Sequence, residues 1–182
     1  SWKELETVLL PDRVPGFHPR NLDELGAMGW LVWVGCGALG KNDGRVAFYR
    51  RERAAVLLEA PPVPEDLDPT HQQLLGALRQ RGACFLNELQ IACPGVRVRE
   101  VREALADLVW AGLVTNDTFA AVRSLLRPDK PTRGRGLRGT LASNTSLGGR
   151  WSLVEHLLSP EVTPTQRAHA QAVTLLERHG IV

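Results

Sequence analysis

Between residues 69 and 115 three amphipathic segments follow one another, each closed by glycine or proline, and the third runs straight into a β-branched strand. That order leaves few folds open. Pro69 to Arg81 reads as a helix. Asp68 is placed to cap it, Leu74, Leu75 and Leu78 lie on one side, and Gly82 stops it. Phe85 to Cys93 reads as a second, shorter helix closed by Pro94-Gly95. Val98 to Ala111 reads as a third, because Val98, Val101, Leu105, Leu108 and Val109 recur at helical spacing. Gly112 ends it, Leu113-Val114-Thr115 begins a strand, and Arg150 to Val154 supplies a strand that returns. Three helices followed by a hairpin make a winged helix, here spanning 69–155 with an unusually long wing. Phe119 to Leu126 is apolar, but its pattern does not decide between helix and strand.

Part of this pattern occurs upstream. In residues 2–20, Leu5, Val8 and Leu9 could form a short apolar face, but Pro11, Pro15 and Pro19 argue against regular structure. Residues 21–29 read as a short helix with Asn21 as cap, Asp23 and Glu24 in the first turn and Gly29 at the end. Trp30 to Val34 and Arg45 to Arg50 read as strands joined by a loop ending in Asn42-Asp43-Gly44, a hairpin signal. Residues 1–58 are therefore expected to be the C-terminal part of one winged-helix unit. Residues 59–68 are acidic and proline-rich and read as a linker. Residues 163–179 read as a helix capped by Thr163, with Pro164 at its first position and Gly180 past its end. On this reading 156–182 begin a further unit that is truncated. The expected fold class is α+β: tandem winged-helix units, each a three-helix bundle with a β-hairpin wing. Both ends read as cut, as in a piece of a longer protein.

The net charge is only +2, but it is unevenly placed. From 123 to 150, Arg123, Arg127, Lys130, Arg133, Arg135, Arg138 and Arg150 meet a single acid, Asp129, so the rest of the chain is net acidic. A local basic stretch on an acidic chain points to a partner. Within it Arg133-Gly134-Arg135-Gly136-Leu137-Arg138-Gly139 is an arginine-glycine segment, expected to be mobile. Arginines on such a loop reach phosphates and displace counterions without choosing a sequence. A solvated loop that binds nothing is the plainer alternative. The third helix carries Arg97, Arg99 and Arg102, on the element that enters the major groove in DNA-binding winged helices. Glu100, Glu103 and Asp107 are interspersed, so pairing within the helix explains them equally well. Arg45, Arg50, Arg51 and Arg53 on the first hairpin are candidates of the same kind.

Other chemistry is poorly represented. No apolar run reaches membrane-spanning length, and the N-terminus lacks the order of a signal peptide. Cys36, Cys84 and Cys93 fit no zinc spacing, and read as reduced, mostly buried thiols of a cytosolic protein. His18, His71, His156, His169 and His179 show no metal-type pairing. Trp30, Trp33, Trp110 and Trp151 lie in apolar elements and are expected to be buried, not free to stack on bases. Gly35-Cys36-Gly37-Ala38-Leu39-Gly40-Lys41 matches both a phosphate loop and a dinucleotide fingerprint. A working phosphate loop needs Ser or Thr after the lysine and then a helix. Here Asn42 follows, then Asp43-Gly44 and a strand, so a glycine-rich wing turn is the better reading.

Two longer blocks carry a family resemblance. Trp33-Val34-Gly35-Cys36-Gly37-Ala38-Leu39-Gly40-Lys41-Asn42-Asp43-Gly44-Arg45-Val46-Ala47-Phe48-Tyr49 and Asp107-Leu108-Val109-Trp110-Ala111-Gly112-Leu113-Val114-Thr115-Asn116-Asp117-Thr118-Phe119 resemble segments of the Lhr, or large helicase-related, family. Gly149-Arg150-Trp151-Ser152-Leu153, Arg167-Ala168-His169-Ala170 and Leu175-Leu176-Glu177-Arg178-His179-Gly180 extend the resemblance over nearly the whole chain. The resemblance implies the C-terminal winged-helix region of a bacterial superfamily 2, ATP-dependent, 3′-to-5′ DNA helicase linked to repair. ATP and magnesium would belong to its N-terminal motor, with no cofactor in these 182 residues. Implied partners are single-stranded or forked DNA and the rest of the helicase chain, in a cytoplasmic, nucleoid-associated setting. The array is similar to alkylpurine DNA glycosylases of the AlkZ type, and some family members are uracil glycosylases. Three roles stay open: a DNA-binding or scaffolding module, part of a glycosylase-like array, or an interface for homo-oligomers. Asp107 and Asp117 are the acids nearest the matching blocks, and a glycosylase acid could equally lie beyond Val182.

Overall fold

The computed structural model describes residues 1–40, 43–126 and 148–180. Its first element departs from expectation. Residues 2–13 form a helical rod, α1, made of Trp2–Glu4, a wider π-type turn over Leu5–Leu9, and Leu10–Arg13. The Leu10 N–H donates to the Leu5 carbonyl across the wider turn, and Pro11 stands at the start of the last segment. A proline is tolerated at such a start, where its missing N–H removes no helical bond. Pro19 likewise opens α2 (Pro19–Ala27). His18, and not Asn21, is the cap: its Nδ1 accepts the Arg20 N–H, while Asn21 Oδ1 accepts the His18 N–H at 2.7 Å. Gly29, at φ +72°, turns the chain out of this helix.

The strands β1 (Leu31–Ala38) and β2 (Gly44–Arg50) pair antiparallel, with an irregularity between Gly35 and Ala38. β2 passes directly into a short helix, α3 (Arg51–Leu57), which the sequence reading did not assign. The linker follows. Then come α4 (Pro69–Arg81), capped by Asp68 through the His71 N–H, α5 (Leu86–Ala92) and α6 (Val98–Trp110), close to their expected bounds. β3 (Val114–Asn116) pairs antiparallel with β4 (Trp151–Leu153). Cys84, between α4 and α5, exchanges backbone hydrogen bonds of 2.9 and 2.7 Å with Trp151 and so extends this sheet. The ambiguous apolar stretch resolves into α7 (Ala120–Leu125). The architecture is α+β, helices with small antiparallel hairpins.

The core does not respect the proline-rich segment. Trp2, Leu22 and Trp33 from the first part share one apolar cluster with Leu74, Leu78, Leu89, Leu105, Phe119 and Trp151 from the second. Phe119 is its hub: it stacks on Trp2 at 5.9 Å and meets Phe48 edge-on at 5.2 Å. Polar bonds stitch the same seam. Thr115 Oγ1 donates to the Trp33 carbonyl at 2.5 Å, and Trp33 Nε1 donates to the Thr118 carbonyl at 3.2 Å.

The last helix, α8 (Pro164–His179), has the expected Thr163 cap, with Gln166 completing a capping box. It lies against α3, where Arg53 grips Glu177 through two hydrogen bonds of 2.6 and 2.8 Å. Leu175 and Leu176 remain more than half exposed.

Cys84 and Cys93 are buried and Cys36 is exposed. Burial pushes all three thiols above the ordinary cysteine range. With iodoacetamide under native conditions we therefore expect slow alkylation of Cys36 alone. Cys84 and Cys93 should react only on unfolding, as mass spectrometry of peptides would show. Native labelling of either buried thiol would contradict this packing.

Candidate nucleic-acid interface

The wing is anchored where it leaves and re-enters the sheet. Asp117 Oδ1 accepts the Arg150 backbone N–H at 2.7 Å, and Asp117 Oδ2 accepts Arg150 Nε at 3.0 Å. Asn116 Oδ1 accepts both the N–H and the hydroxyl of Thr118, at 2.8 and 3.0 Å. Gly149 passes over this knot at φ +87°, so close that a Cβ would sit 2.3 Å from Asn116 Oδ1. Arg150 is thus held at the base of the wing with much of its side chain still in solvent. Arg127, Lys130, Arg133, Arg135 and Arg138 lie outside the described residues.

On α6, Arg97 pairs with Glu100, and Arg99 Nε bonds Glu103 at 2.8 Å. Both pairs are one helical turn apart and on the surface, where water and salt screen them and a phosphate can displace them. Arg102 is half-buried on the same helix. Arg123 is placed differently from Arg150. Its guanidinium lies between Glu6 of α1, at 2.9 Å, and Asp23 of α2, with only 17% of the side chain exposed. It ties three elements together and is committed to those carboxylates.

Other sequence candidates also resolve. Asp117 is engaged by Arg150, and Asp107 stands 3.5 Å from His71 Nε2. Gly35 to Ala38 of the phosphate-loop look-alike lie in β1, at its irregularity, and among the described residues between β1 and antiparallel β2 there is no helix. Gly35 serves packing: a Cβ there would meet the Val109 carbonyl oxygen of α6 at 2.0 Å. Among the described residues no cluster of three His, Cys, Asp or Glu is arranged to hold a metal, and no helix is long and apolar enough to cross a membrane.

One expectation about the tryptophans fails. Trp33 and Trp151 are buried and Trp110 is half-buried, but Trp30 is 68% exposed. The signal was present in its position. Trp30 follows Gly29 and precedes the first paired residue, Leu31, so the alternation of the strand does not govern it.

The comparisons with known proteins agree with this architecture. Residues 1–51 match the family model described as large helicase-related protein, winged-helix domain. The chain is 36% identical over 195 residues to a Mycolicibacterium smegmatis protein named Lhr helicase/probable uracil glycosylase, covering 98% of this chain. It is 31% identical over 204 residues to an Escherichia coli protein named Lhr helicase/uracil glycosylase, covering 97% of this chain. In each case it spans 13% of the relative's own length. The match thus extends well past the first hairpin, over both wings and the last helix, and the chain belongs to the Lhr family, as part of its C-terminal winged-helix region.

Proposed function

We propose that the chain is a non-motor accessory module of an ATP-dependent 3′-to-5′ DNA helicase acting in DNA repair in the bacterial cytoplasm. It contributes nucleic-acid binding through its second wing. ATP and magnesium are bound by the motor elsewhere in the polypeptide. The observation that carries this reading is the anchored wing base. Asp117, Asn116 and Arg150 tie down the residues flanking a segment that holds Arg127, Lys130, Arg133, Arg135 and Arg138 against one acid, Asp129. Cations presented from a fixed base give phosphate affinity without sequence choice. Arg97 at the start of α6, and Arg99 and Arg102 on it, supply a second, weaker contact, since Arg97 and Arg99 must first exchange glutamates for phosphates and Arg102 is half-buried.

The test is a salt series with single-stranded and forked DNA, read by fluorescence anisotropy. Replacing Arg133, Arg135 and Arg138 together with glutamine should flatten the log–log salt slope by about 2 for single strands, at roughly 0.7 per phosphate contact. Failure of the parent chain to bind at about 50 mM salt would sink the reading, as would an unchanged slope in the triple variant.

A second reading is favoured by the relatives' names, both of which include uracil glycosylase. On it the chain is part of a base-excision array. Asp117 is engaged at the wing base, so the acid would lie outside residues 1–182. Activity on uracil-containing DNA would then appear only in the longer polypeptide.

A further inference from the structure

We infer that Trp30, with Arg50 and Arg51, forms a stacking site for an unpaired base of single-stranded DNA on the first hairpin. The inference rests on the nucleic-acid reading above and locates a contact which that reading does not contain.

The backbone presents Trp30 rigidly. Its N–H donates to the Leu25 carbonyl at 3.0 Å, closing α2, and its own carbonyl accepts the Arg51 N–H at 2.9 Å. The ring is nevertheless 68% exposed, although the chain has apolar surface to bury it in and buries Trp2, Trp33 and Trp151 to within 2%. It borders an open cleft of about 650 Å³ whose apolar wall includes Leu25 and Leu31. Two arginines stand beside it because the fold puts them there. Arg50 pairs with Leu31 in the β-ladder, and Arg51 is hydrogen-bonded to Trp30 itself. Both are exposed and line the cleft.

The opposing charges are Glu52, also on the cleft, and Glu177, which feels Arg50 but is gripped by Arg53. Among the described residues neither Arg50 nor Arg51 has a carboxylate within 4.0 Å. An aromatic face flanked by available guanidinium groups is complementary to a base and its phosphate. In a duplex the faces of the bases are stacked inside, so the ligand is a single strand or an unpaired base at a fork. A protein surface could also use a tryptophan beside arginines, and the experiment separates the two.

Binding of labelled oligothymidylate and of a duplex of equal length should be measured for the chain, for Trp30→Ala, for Trp30→Phe and for Arg50→Ala/Arg51→Ala. Trp30→Ala should weaken single-strand binding about tenfold and Trp30→Phe less, since stacking on one aromatic is worth roughly 1–3 kcal/mol per base. The double arginine variant should flatten the single-strand salt slope by about 1.4. Duplex binding should change little in the tryptophan variants. A second readout uses the parent alone: Trp30 dominates the acrylamide-accessible emission, and oligothymidylate should shield it. If Trp30→Ala binds single strands as the parent does, or loses single strands and duplex equally, the stacking site is overturned while the wing reading stands. Unshielded emission on binding overturns it too, even if Trp30→Ala fails to fold. If the parent binds no nucleic acid, both readings fall together.

Discussion

Replacing Gly35 with alanine is expected to lower the unfolding midpoint by about 10 °C, from a loss of about 3 kcal/mol in a protein of this size. Gly35 is not among the glycines with positive φ, so strain at φ is not the cause. The obstacle is backbone against backbone: a Cβ would stand 2.0 Å from the Val109 carbonyl oxygen and 2.8 Å from its carbon. That carbonyl cannot easily retreat, because it accepts the Gly112 N–H at 2.9 Å in the turn that ends α6. Gly112 itself faces the Gly35 carbonyl, which leaves no slack on either side. The hairpin would have to lift off the helix, pulling Trp33 and Thr115 apart. Gly76→Ala is the matched control. It lies inside α4 with nothing near its added Cβ, so it should stabilise the protein by up to about 1 kcal/mol and raise the midpoint by a few degrees. Differential scanning calorimetry of the two variants gives the comparison. A Gly35→Ala protein that melts with its parent would mean that β1 and α6 do not touch as described.

The second large effect is expected at Arg123. Arg123→Met keeps most of the side-chain volume but leaves Glu6 and Asp23 facing each other, with side chains only 14% and 25% exposed. Two poorly hydrated carboxylates without their counter-charge should cost about 2 kcal/mol, less than for a fully buried pair because water still reaches them. Asp23 has a further duty, accepting the Ala120 N–H at 2.8 Å at the start of α7. A double-mutant cycle with Asp23→Asn separates the roles. Asparagine keeps an acceptor for Ala120 and removes the charge, so the double variant should recover about 1 kcal/mol relative to simple addition. Strict additivity would show that Arg123 and Asp23 are independent. Weakened DNA binding in a folded Arg123→Met protein would instead restore Arg123 to the nucleic-acid surface.

Arg123 also shows where sequence reasoning reaches its limit. Its neighbours in the chain are basic, and a local charge count groups it with them. Its partners in space are Glu6 and Asp23, 117 and 100 residues away, and no periodicity connects those positions. Local chemistry was legible: the caps at Asp68 and Thr163, the glycine stops and the hydrophobic repeats of α4 and α6 each act within a turn or two of helix. Pro11 misled because proline was weighed as a helix breaker without allowing for a helix that restarts just before it. Trp30 misled because hydropathy reports what a side chain prefers, not whether the fold covers it. What Gly35 is needed for depends on the Val109 carbonyl at the end of α6, 74 residues later.

The shared aromatic cluster bears on how this part of the polypeptide is made and taken apart. Phe119 gathers Trp2, Trp33 and Phe48 across the proline-rich stretch at 59–68. A ribosome that has delivered only the first hairpin has delivered a half-finished surface, with three aromatic rings waiting for a fourth still tens of residues from synthesis. A protease that cuts the proline-rich stretch afterwards would nick the chain without releasing two particles. That stretch is a tether between two parts of one apolar core, and the borders that matter for stability run through the packing and not along the chain.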